Sequence, residues 1–526
     1  MSIITDLKKL KIIPKSHPPH YLLHKYWGRK PHNLIAEYIS LFTKSGDQVL
    51  DPFMGSGGVV IESNKLNRVG FGIDLNPMAC NIVKETLKMK VDEVLLEKTF
   101  ESIIDSIPSE IIDLAKAKHD DGIEYNLDNA VWDLDQIKTV KYYKNKQKVT
   151  RKINKSDLKK VVNSNKLLKK YVNKGLAYPK QKIIKYVRRN GKEYINELFS
   201  DRNLLIAAFI IQEINKVKDV EIKNSLLFIF TSALPNFSKM IPGDIDKVTG
   251  KSGWQISKFW APSVHTEKNV ISSIRLRLKK YIKGKNDIQP LITNTKYFIF
   301  NNSCEDMANI KDKSIDYIFT DPPYGDSISY FALSSFWSSW LNLEVDYEGE
   351  IIYDPYRDKK EEDYSTRLNN AFKEIHRVLK DNKYMSFTFH NRHMKFWKII
   401  IDACKSAGFE IINVKWVDQA VSSGTQGINR KNTLKGDFVY TFKKVYSTPI
   451  SLSKNNGEKL IIQITKKLIK QYGSVSAAIL YENLIPEIIS KNSYYNSNNK
   501  IIDIEKFLSN NFEYSIDQKG NYGWKL

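Results

Sequence analysis

Seven short apolar segments that read as β-strands, alternating with helical stretches, constrain this chain more than any other feature. The expected strands are Gln48–Asp51, Val69–Asp74, Tyr297–Asn301, Ile315–Thr320, Tyr384–Phe389, Ile411–Val417 and Phe438–Phe442. Helices fall between them, notably Thr366–Leu379 and Met394–Ala407. Strands alternating with helices predict a doubly wound α/β sheet. About 200 residues separate the first two strands from the last five. One sheet carrying a long insertion explains that gap better than two sheets do. At 526 residues the chain is too long for one ordinary domain. The expected division is a lead over 1–45, a first sheet part over 46–95, a mixed insertion over 96–290, a second sheet part over 291–445 and a separate unit over 450–526. Phe199–Lys216 reads as a buried helix of the insertion. In the last unit, helices near Glu458–Tyr472, Ala477–Ile489 and Ile504–Leu508 precede two short strands around Lys519-Gly520. That order predicts a small winged-helix-like domain.

Charge narrows the partner. Lys and Arg number 82 against 59 Asp and Glu, a net charge of +23. The surplus is concentrated: Lys138 to Lys192 holds 20 cations and one acid, Asp157. Tyr142, Tyr143, Tyr171, Tyr178 and Tyr186 are interleaved with them. Cations neutralise phosphates and aromatics stack on bases, so a nucleic acid is the expected partner. Lys144, Lys148, Arg151, Lys152, Lys185, Arg188 and Arg189 are the candidate contacts. The same run also reads as a solvated, partly disordered arm, and the two readings are compatible because such arms order on their ligands. The three cysteines, Cys80, Cys304 and Cys404, lie far apart, so neither a disulfide scaffold nor a metal site is expected. No run approaches the ~18 apolar residues of a membrane span, and the opening MSIITDLKKLKIIPK lacks a signal-peptide core. A cytoplasmic protein without membrane contact is the expectation.

Two motifs carry chemistry. Asp51-Pro52-Phe53-Met54-Gly55-Ser56-Gly57-Gly58 lies where the first strand meets a helix. Gly55 and Gly57 permit positive φ and close approach of a ligand to the backbone. The second strand ends in Asp74-Leu75-Asn76, which puts an acid where nucleotide-binding α/β folds hold ribose hydroxyls. The turn lacks both GxGxxG and GK[ST], which argues against a nicotinamide dinucleotide and excludes a P-loop. The second motif, Asp321-Pro322-Pro323-Tyr324, follows the apolar strand Ile315–Thr320. Two prolines remove N–H donors and leave carbonyls free. With the Asp321 carboxylate and the flat Tyr324 ring, the set suits an exocyclic amino group on a base.

Together, DPFMGSGG and TDPPY resemble the amino-methylating DNA methyltransferases, which use S-adenosylmethionine on adenine N6 or cytosine N4. The chain is most similar to adenine-specific members with a YWGRKP-type N-terminal motif, here Tyr26 to Pro31. DPPYGDSISYFALSSFWSSWL and LKGDFVYTF also resemble that group. The resemblance spans roughly residues 20–90 and 295–445. It implies a seven-stranded Rossmann-like methyltransferase sheet. It implies a cofactor site of Tyr26, Asp51, Pro52, Phe53, Gly55, Ser56, Gly57, Asp74, Asn76, Asn302 and Ser303. Asn302 stands where the family usually has Asp, and Gly58 where Thr is common. Asp321, Pro322, Pro323 and Tyr324 are the implied catalytic set, acting on a base flipped out of double-stranded DNA. Adenine N6 is favoured because cytosine N4 members more often carry Ser in the first position. Arg29 and Trp27 are expected over the cofactor or on DNA. His390-Asn391-Arg392-His393 reads as a polar loop or as part of the base channel. Phe331, Phe336, Trp337 and Trp340 read as helix core rather than a binding stripe, with Phe331 also placed to reach the base. A restriction or defence partner goes with the resemblance. The competing readings are a cytosine-N4 enzyme, an RNA methyltransferase and, last, a non-enzymatic DNA-binding protein.

Overall fold

The computed structural model describes residues 3–88, 91–189, 191–244, 254, 257–294, 296–326, 328–391, 393–418, 436–446, 455–516 and 522–526. Strands β1 (Gln48–Asp51) and β2 (Val69–Ile73) open the main sheet. The insertion contributes β3 (Lys116–Lys118), β4 (Glu124–Asp133), β5 (Gln136–Lys144), β6 (Gln147–Lys152) and β7 (Val264–Lys268). The sheet resumes with β8 (Tyr297–Phe300), β9 (Ile315–Thr320), β10 (Leu379–Phe389), β11 (Phe409–Asp418) and β12 (Gly436–Lys444). A final hairpin pairs β13 (Glu513–Ile516) with β14 (Tyr522–Lys525).

The main sheet has seven strands in the order β11-β12-β10-β9-β1-β2-β8. All pairs are parallel except those of β12, which runs antiparallel to both β10 and β11. The order reverses between β1 and β9, so a crevice opens beyond their carboxyl ends. Both motifs sit there. β9 is buried along its whole length, as a central strand covered on two faces must be. The helix His32–Phe42 covers one face, with Phe42 stacked on Tyr317 at 4.7 Å. Helices Glu361–Val378 and Met394–Ser406 contribute to the core that includes Met385, Phe387 and Tyr440.

The seven expected strands are present, with one notable shift. β10 begins at Leu379 rather than Tyr384: Leu379 pairs with Ile315, and after an irregularity the register resumes at Tyr384 opposite Tyr317. Asn382 takes a positive φ of 60° there, and the polar Asp381-Asn382-Lys383 hides the strand from an apolar pattern.

The insertion builds its own five-stranded antiparallel sheet, β3-β4-β5-β6 with β7 on the free side of β4. The basic run therefore starts as the β5–β6 hairpin and continues as the helix Lys155–Val172. Asn154 and Asp157 form a capping box at the start of that helix. This is ordered structure rather than the loose arm one reading of the charge allowed. Ile137, Val140 and Tyr142 bury one face of β5 under the lysines. Behind the sheet, helices Asp201–Lys216, Val220–Ala233 and Val270–Ile288 share an apolar core with Phe336, Trp337 and Trp340 of helix Tyr330–Leu341. Glu267 of β7 fastens the layers: it accepts from Trp132 Nε1 at 2.6 Å, from Ser200 and from the Arg202 guanidinium.

Helices Glu458–Tyr472, Ala477–Ser490 and Ile504–Asn511 precede the last hairpin, in the expected order. They do not stand apart: Ile461, Leu484, Tyr494 and Trp524 share one core with Phe438, Tyr440 and Phe442 of β12. Lys519-Gly520 and Arg392 lie outside the described residues. Among the described residues no helix is long and apolar enough to cross a membrane.

Candidate active site

The glycine turn is shaped by what surrounds it. Gly57 caps helix Gly58–Lys65 at φ +79°, and a Cβ there would lie 2.4 Å from Val83 Cγ2. Only glycine fits that position. Asp51 Oδ1 accepts from Phe53 N at 3.1 Å and from Thr320 Oγ1 at 2.6 Å, which ties the end of β1 to β9. Asp74, beyond the tip of β2, accepts from Gly55 N at 2.7 Å and from Asn76 N at 2.8 Å. Its carboxylate therefore holds the turn across two strands. Burial pushes both Asp51 and Asp74 up to about 7. Tyr26 leans over Gly55 and stacks on Tyr330 with ring centres 5.8 Å apart.

These groups line one cavity of about 1100 Å³, counted to its open mouth. Asp51, Pro52, Phe53, Gly55, Ser56, Asp74, Tyr26 and Ser303 belong to its wall, and so do Asp321 and Pro323. Three of the candidate cofactor residues, Gly57, Asn76 and Asn302, stand outside it. The Asn302 amide turns back to Asp306 O at 2.9 Å. Asn76 is fully buried, capping helix Pro77–Leu87 and donating to Ser334 Oγ at 2.8 Å. Cys304 and Glu350, which the sequence did not single out, join the wall instead.

The DPPY segment is rigidly seated. Tyr364 donates to Pro323 O at 2.6 Å and accepts from Gly325 N at 3.2 Å. Pro322 is buried beneath the turn. Asp321 Oδ1 accepts from the Tyr324 hydroxyl and from Thr388 Oγ1, each at 2.6 Å. Lys30 Nζ stands 3.4 Å from the same oxygen, 2.7 Å from the Tyr324 hydroxyl and 3.0 Å from Asp437 Oδ2. His390 Nδ1 meets the other Asp437 oxygen. Burial raises Asp321 above the ordinary carboxylate range, although Lys30 opposes it. Lys30 and Asp437 lie in YWGRKP and KGDFVYTF, two segments read as family-like in which these two residues were given no role. The available signal was an acid opening an otherwise apolar strand.

The basic candidates divide. Arg29 does not face DNA. Its Nε donates to Ser56 Oγ at 3.1 Å and its other two nitrogens to the carbonyls of Tyr21 and His24, so it braces the cofactor wall. Trp27 packs edge-on to Trp254 at 5.1 Å, inside the aromatic core. Arg151 is spent on Asp157 and on Lys118 O, tying the hairpin to the following helix. Lys144 pairs with Asp121 at 2.9 Å. Lys148 and Lys152 point outward from β6. Lys185, Arg188 and Arg189 line a basic pocket with Lys258. Arg188 pairs with Glu193 there, and Arg189 lies over the Trp260 ring at 5.1 Å. The pocket borders Tyr186, whose hydroxyl donates at 3.0 Å to Asp326 O, two residues past Tyr324.

A seven-stranded sheet with one reversed strand, and a glycine turn and a DPPY segment opening on the same cavity, define the protein as an open, doubly wound α/β fold with a strand-end site. The DNA methylase family profile matches residues 6–85 and 315–515, more than half of the chain, and the chain belongs to that family. The insertion lies outside the match. The Type II methyltransferase M.MjaII of Methanocaldococcus jannaschii is 23% identical over 335 residues, 59% of each protein. M.BamHI of Bacillus amyloliquefaciens is 39% identical over 84 residues, 16% of this chain and 19% of that one. M.HpaI of Haemophilus parainfluenzae is 42% identical over 59 residues, 11% of this chain and 19% of that one. The chain thus spans 59% of the first relative's length and 19% of the other two. S-adenosylmethionine is the cofactor that the family resemblance implied. The cavity suits it: a turn without side chains at Gly55 and Gly58, two strand-tip carboxylates for hydroxyls and positive charge, and aromatic walls from Tyr26 and Phe53.

Proposed function

We propose that the protein is a site-specific DNA methyltransferase that methylates the N6 amino group of adenine in double-stranded DNA after base flipping. The observation that carries this reading is the single cavity joining the glycine turn and Asp74 to Asp321. Tyr26, Asp51, Gly55, Gly57, Asp74 and Ser303 would hold the cofactor. S-adenosylmethionine supplies a methyl group on a positively charged sulfur that departs with the bonding pair. Asp321 and the Pro322 carbonyl accept hydrogen bonds from the amino group and draw its lone pair out of the ring. Tyr324 stacks on the base, a contact worth about 1–3 kcal/mol. Orientation and fixed acceptors supply the catalysis.

Lys148, Lys152 and the Lys185, Arg188, Arg189 and Lys258 pocket form the proposed DNA-facing surface, with Lys144 at its margin. The insertion is the proposed target-recognition region, and the winged-helix-like C-terminal unit a packing or partner module. A restriction or defence-system partner and a cytoplasmic setting are part of the same proposal.

The test is methylation of duplex DNA with a labelled cofactor, followed by digestion to nucleosides. N6-methyladenine is expected. N4-methylcytosine would transfer the reaction to the other base of the family, and incorporation into RNA alone would overturn the DNA reading. No incorporation into any nucleic acid would favour a DNA-binding protein without activity.

A further inference from the structure

Methyl transfer as described uses Asp321 and Tyr324, but the polar cluster around them is larger. Lys30 arrives from the N-terminal lead, Thr388 and His390 from the end of β10, and Asp437 from β12. Lys30 and Asp437 are 407 positions apart in the chain. The Tyr324 hydroxyl lies between two carboxylates, 2.6 Å from Asp321 Oδ1 and 3.4 Å from Asp437 Oδ1. Asp437 Oδ1 in turn meets His390 Nδ1. The side chains of Lys30 and Asp437 are 10% and 6% exposed, whereas that of His390 is 25% exposed. The line therefore starts at the reacting carboxylate and ends on a ring that reaches solvent. A purely structural ion pair would not need that continuation, and burying charges is costly unless every partner is in place.

We propose that Asp437 and His390 are the exit route for the proton released from the methylated amino group, with Lys30 as the positioning cation that holds the two carboxylates in line. The proposal presupposes methyl transfer at Asp321. The amino nitrogen bonds to the methyl carbon with its lone pair while the carbon–sulfur bond gives its pair to sulfur. The nitrogen then carries one proton too many. Asp321 takes that proton and hands it to the Tyr324 oxygen, as the tyrosine gives its own hydroxyl proton to Asp437. Asp437 passes a proton to His390 Nδ1, and His390 releases one from Nε2 to water. The carboxylates and the tyrosine return to their starting states; the imidazole, which starts with Nδ1 unprotonated, ends as its Nδ1–H tautomer and resets by proton exchange with water.

Burial raises Asp321 despite Lys30, so it takes a proton readily. Burial also works to raise Asp437, but Lys30 and His390 hold it well below the usual carboxylate range, so the proton crosses Asp437 only in concert with its passage to His390. Lys30, though buried, is raised by Asp321 and Asp437 and stays a cation. Among the described residues, the charged or titratable groups facing His390 are Asp437 and Tyr324, with Lys30 and Asp321 one contact further.

The experiment is single-turnover methylation of the preformed enzyme–cofactor–DNA complex across pH 5–9, for the wild type, His390→Gln and Asp437→Asn. The wild-type rate constant is expected to rise with pH. His390→Gln should lose that rise and fall by about 100-fold at neutral pH, with cofactor affinity within twofold of wild type by calorimetry. Imidazole in the buffer should restore part of the rate to His390→Gly. Asp437→Asn should lose the same limb. An unchanged pH profile in His390→Gln, with no imidazole rescue of His390→Gly, would sink the route while leaving methyl transfer intact. Parallel loss of cofactor affinity and rate in both variants would reduce the cluster to scaffolding and overturn the proposal. A wild type inactive on every DNA would remove the functional reading and the route with it.

Discussion

The methylase sheet and the insertion between β2 and β8 treat charge in opposite ways. In the sheet, Asp51, Asp74, Asp321, Asp437 and Lys30 are drawn into the interior, each held by a named donor or counter-ion. In the insertion, lysines such as Lys148 and Lys152 stand in water over an apolar layer of Val140 and Tyr142. Fixed, desolvated charges act through geometry and need little reorganisation during a reaction. Exposed cations act through number, and salt weakens them. The insertion has its own buried pair, Arg202 and Glu267, but that pair joins helices to β7 and faces no cavity of the site. The proposed chemical half and the proposed gripping half thus differ in how each charge is held.

The largest effect should come from Asp321→Ala. Removing a fixed acceptor at the reacting amino group is expected to lower methyl transfer by about 10²–10³-fold, with cofactor affinity changed less than fivefold by calorimetry. An equal loss in both measurements would break the separation between cofactor turn and catalytic acceptor. Glu267→Ala should cost about 3–5 kcal/mol, because it strands Arg202 without its buried partner. Denaturant unfolding reads this directly, and an effect within error would mean that the insertion is not fastened through β7. Gly57→Ala comes next. Its positive φ and the close Val83 methyl predict a loss of about 1–3 kcal/mol, seen as weaker cofactor binding and a lower melting temperature.

pH should act on the same turn. Asp51 and Asp74 are raised to about 7 in the folded protein from an ordinary 3.8, so the cofactor-free fold holds protons that the unfolded chain has released. Stability should therefore fall as pH rises from about 4 to about 7, and Asp51→Asn should flatten that slope in melting experiments. Cofactor affinity should move the other way, rising as the two carboxylates ionise opposite a positive sulfur. The smallest effect is on the gripping side: Lys148→Gln with Lys152→Gln should lower the salt slope of DNA binding by about 0.9 for each phosphate no longer neutralised. An unchanged slope would take the hairpin out of the DNA surface.

Legibility followed the same division. The central parallel strands are covered, so they read as short apolar runs such as Tyr317-Ile318-Phe319 in β9 and Val49-Leu50 in β1. The β10 start escapes an apolar pattern because Leu379 pairs before a polar, positive-φ interruption. In the insertion, β4 buries Asn129 to Trp132 and β5 buries Val140 to Tyr142 on both faces, yet NLDNAVWD and IKTVKYYK mix polar groups into them, down to a buried Lys141. Counting lysines there located the charge and concealed the sheet beneath it. The helix order of the C-terminal unit was readable from its turns, but its seat against β12 was not.

Local chemistry determined the glycine turn, Asp74 and the DPPY segment, because each works through its own backbone and the strand end that carries it. The neighbours Arg29 and Lys30 mark where that reasoning stops. They are adjacent cations in one motif. Arg29 is committed to Ser56 and two carbonyls in the cofactor wall, while Lys30 reaches Asp321 and Asp437. The partners of Lys30 lie hundreds of positions downstream, and burial depends on everything packed around a group. Only the tertiary structure could bring those charges together and decide which of them serve the reaction.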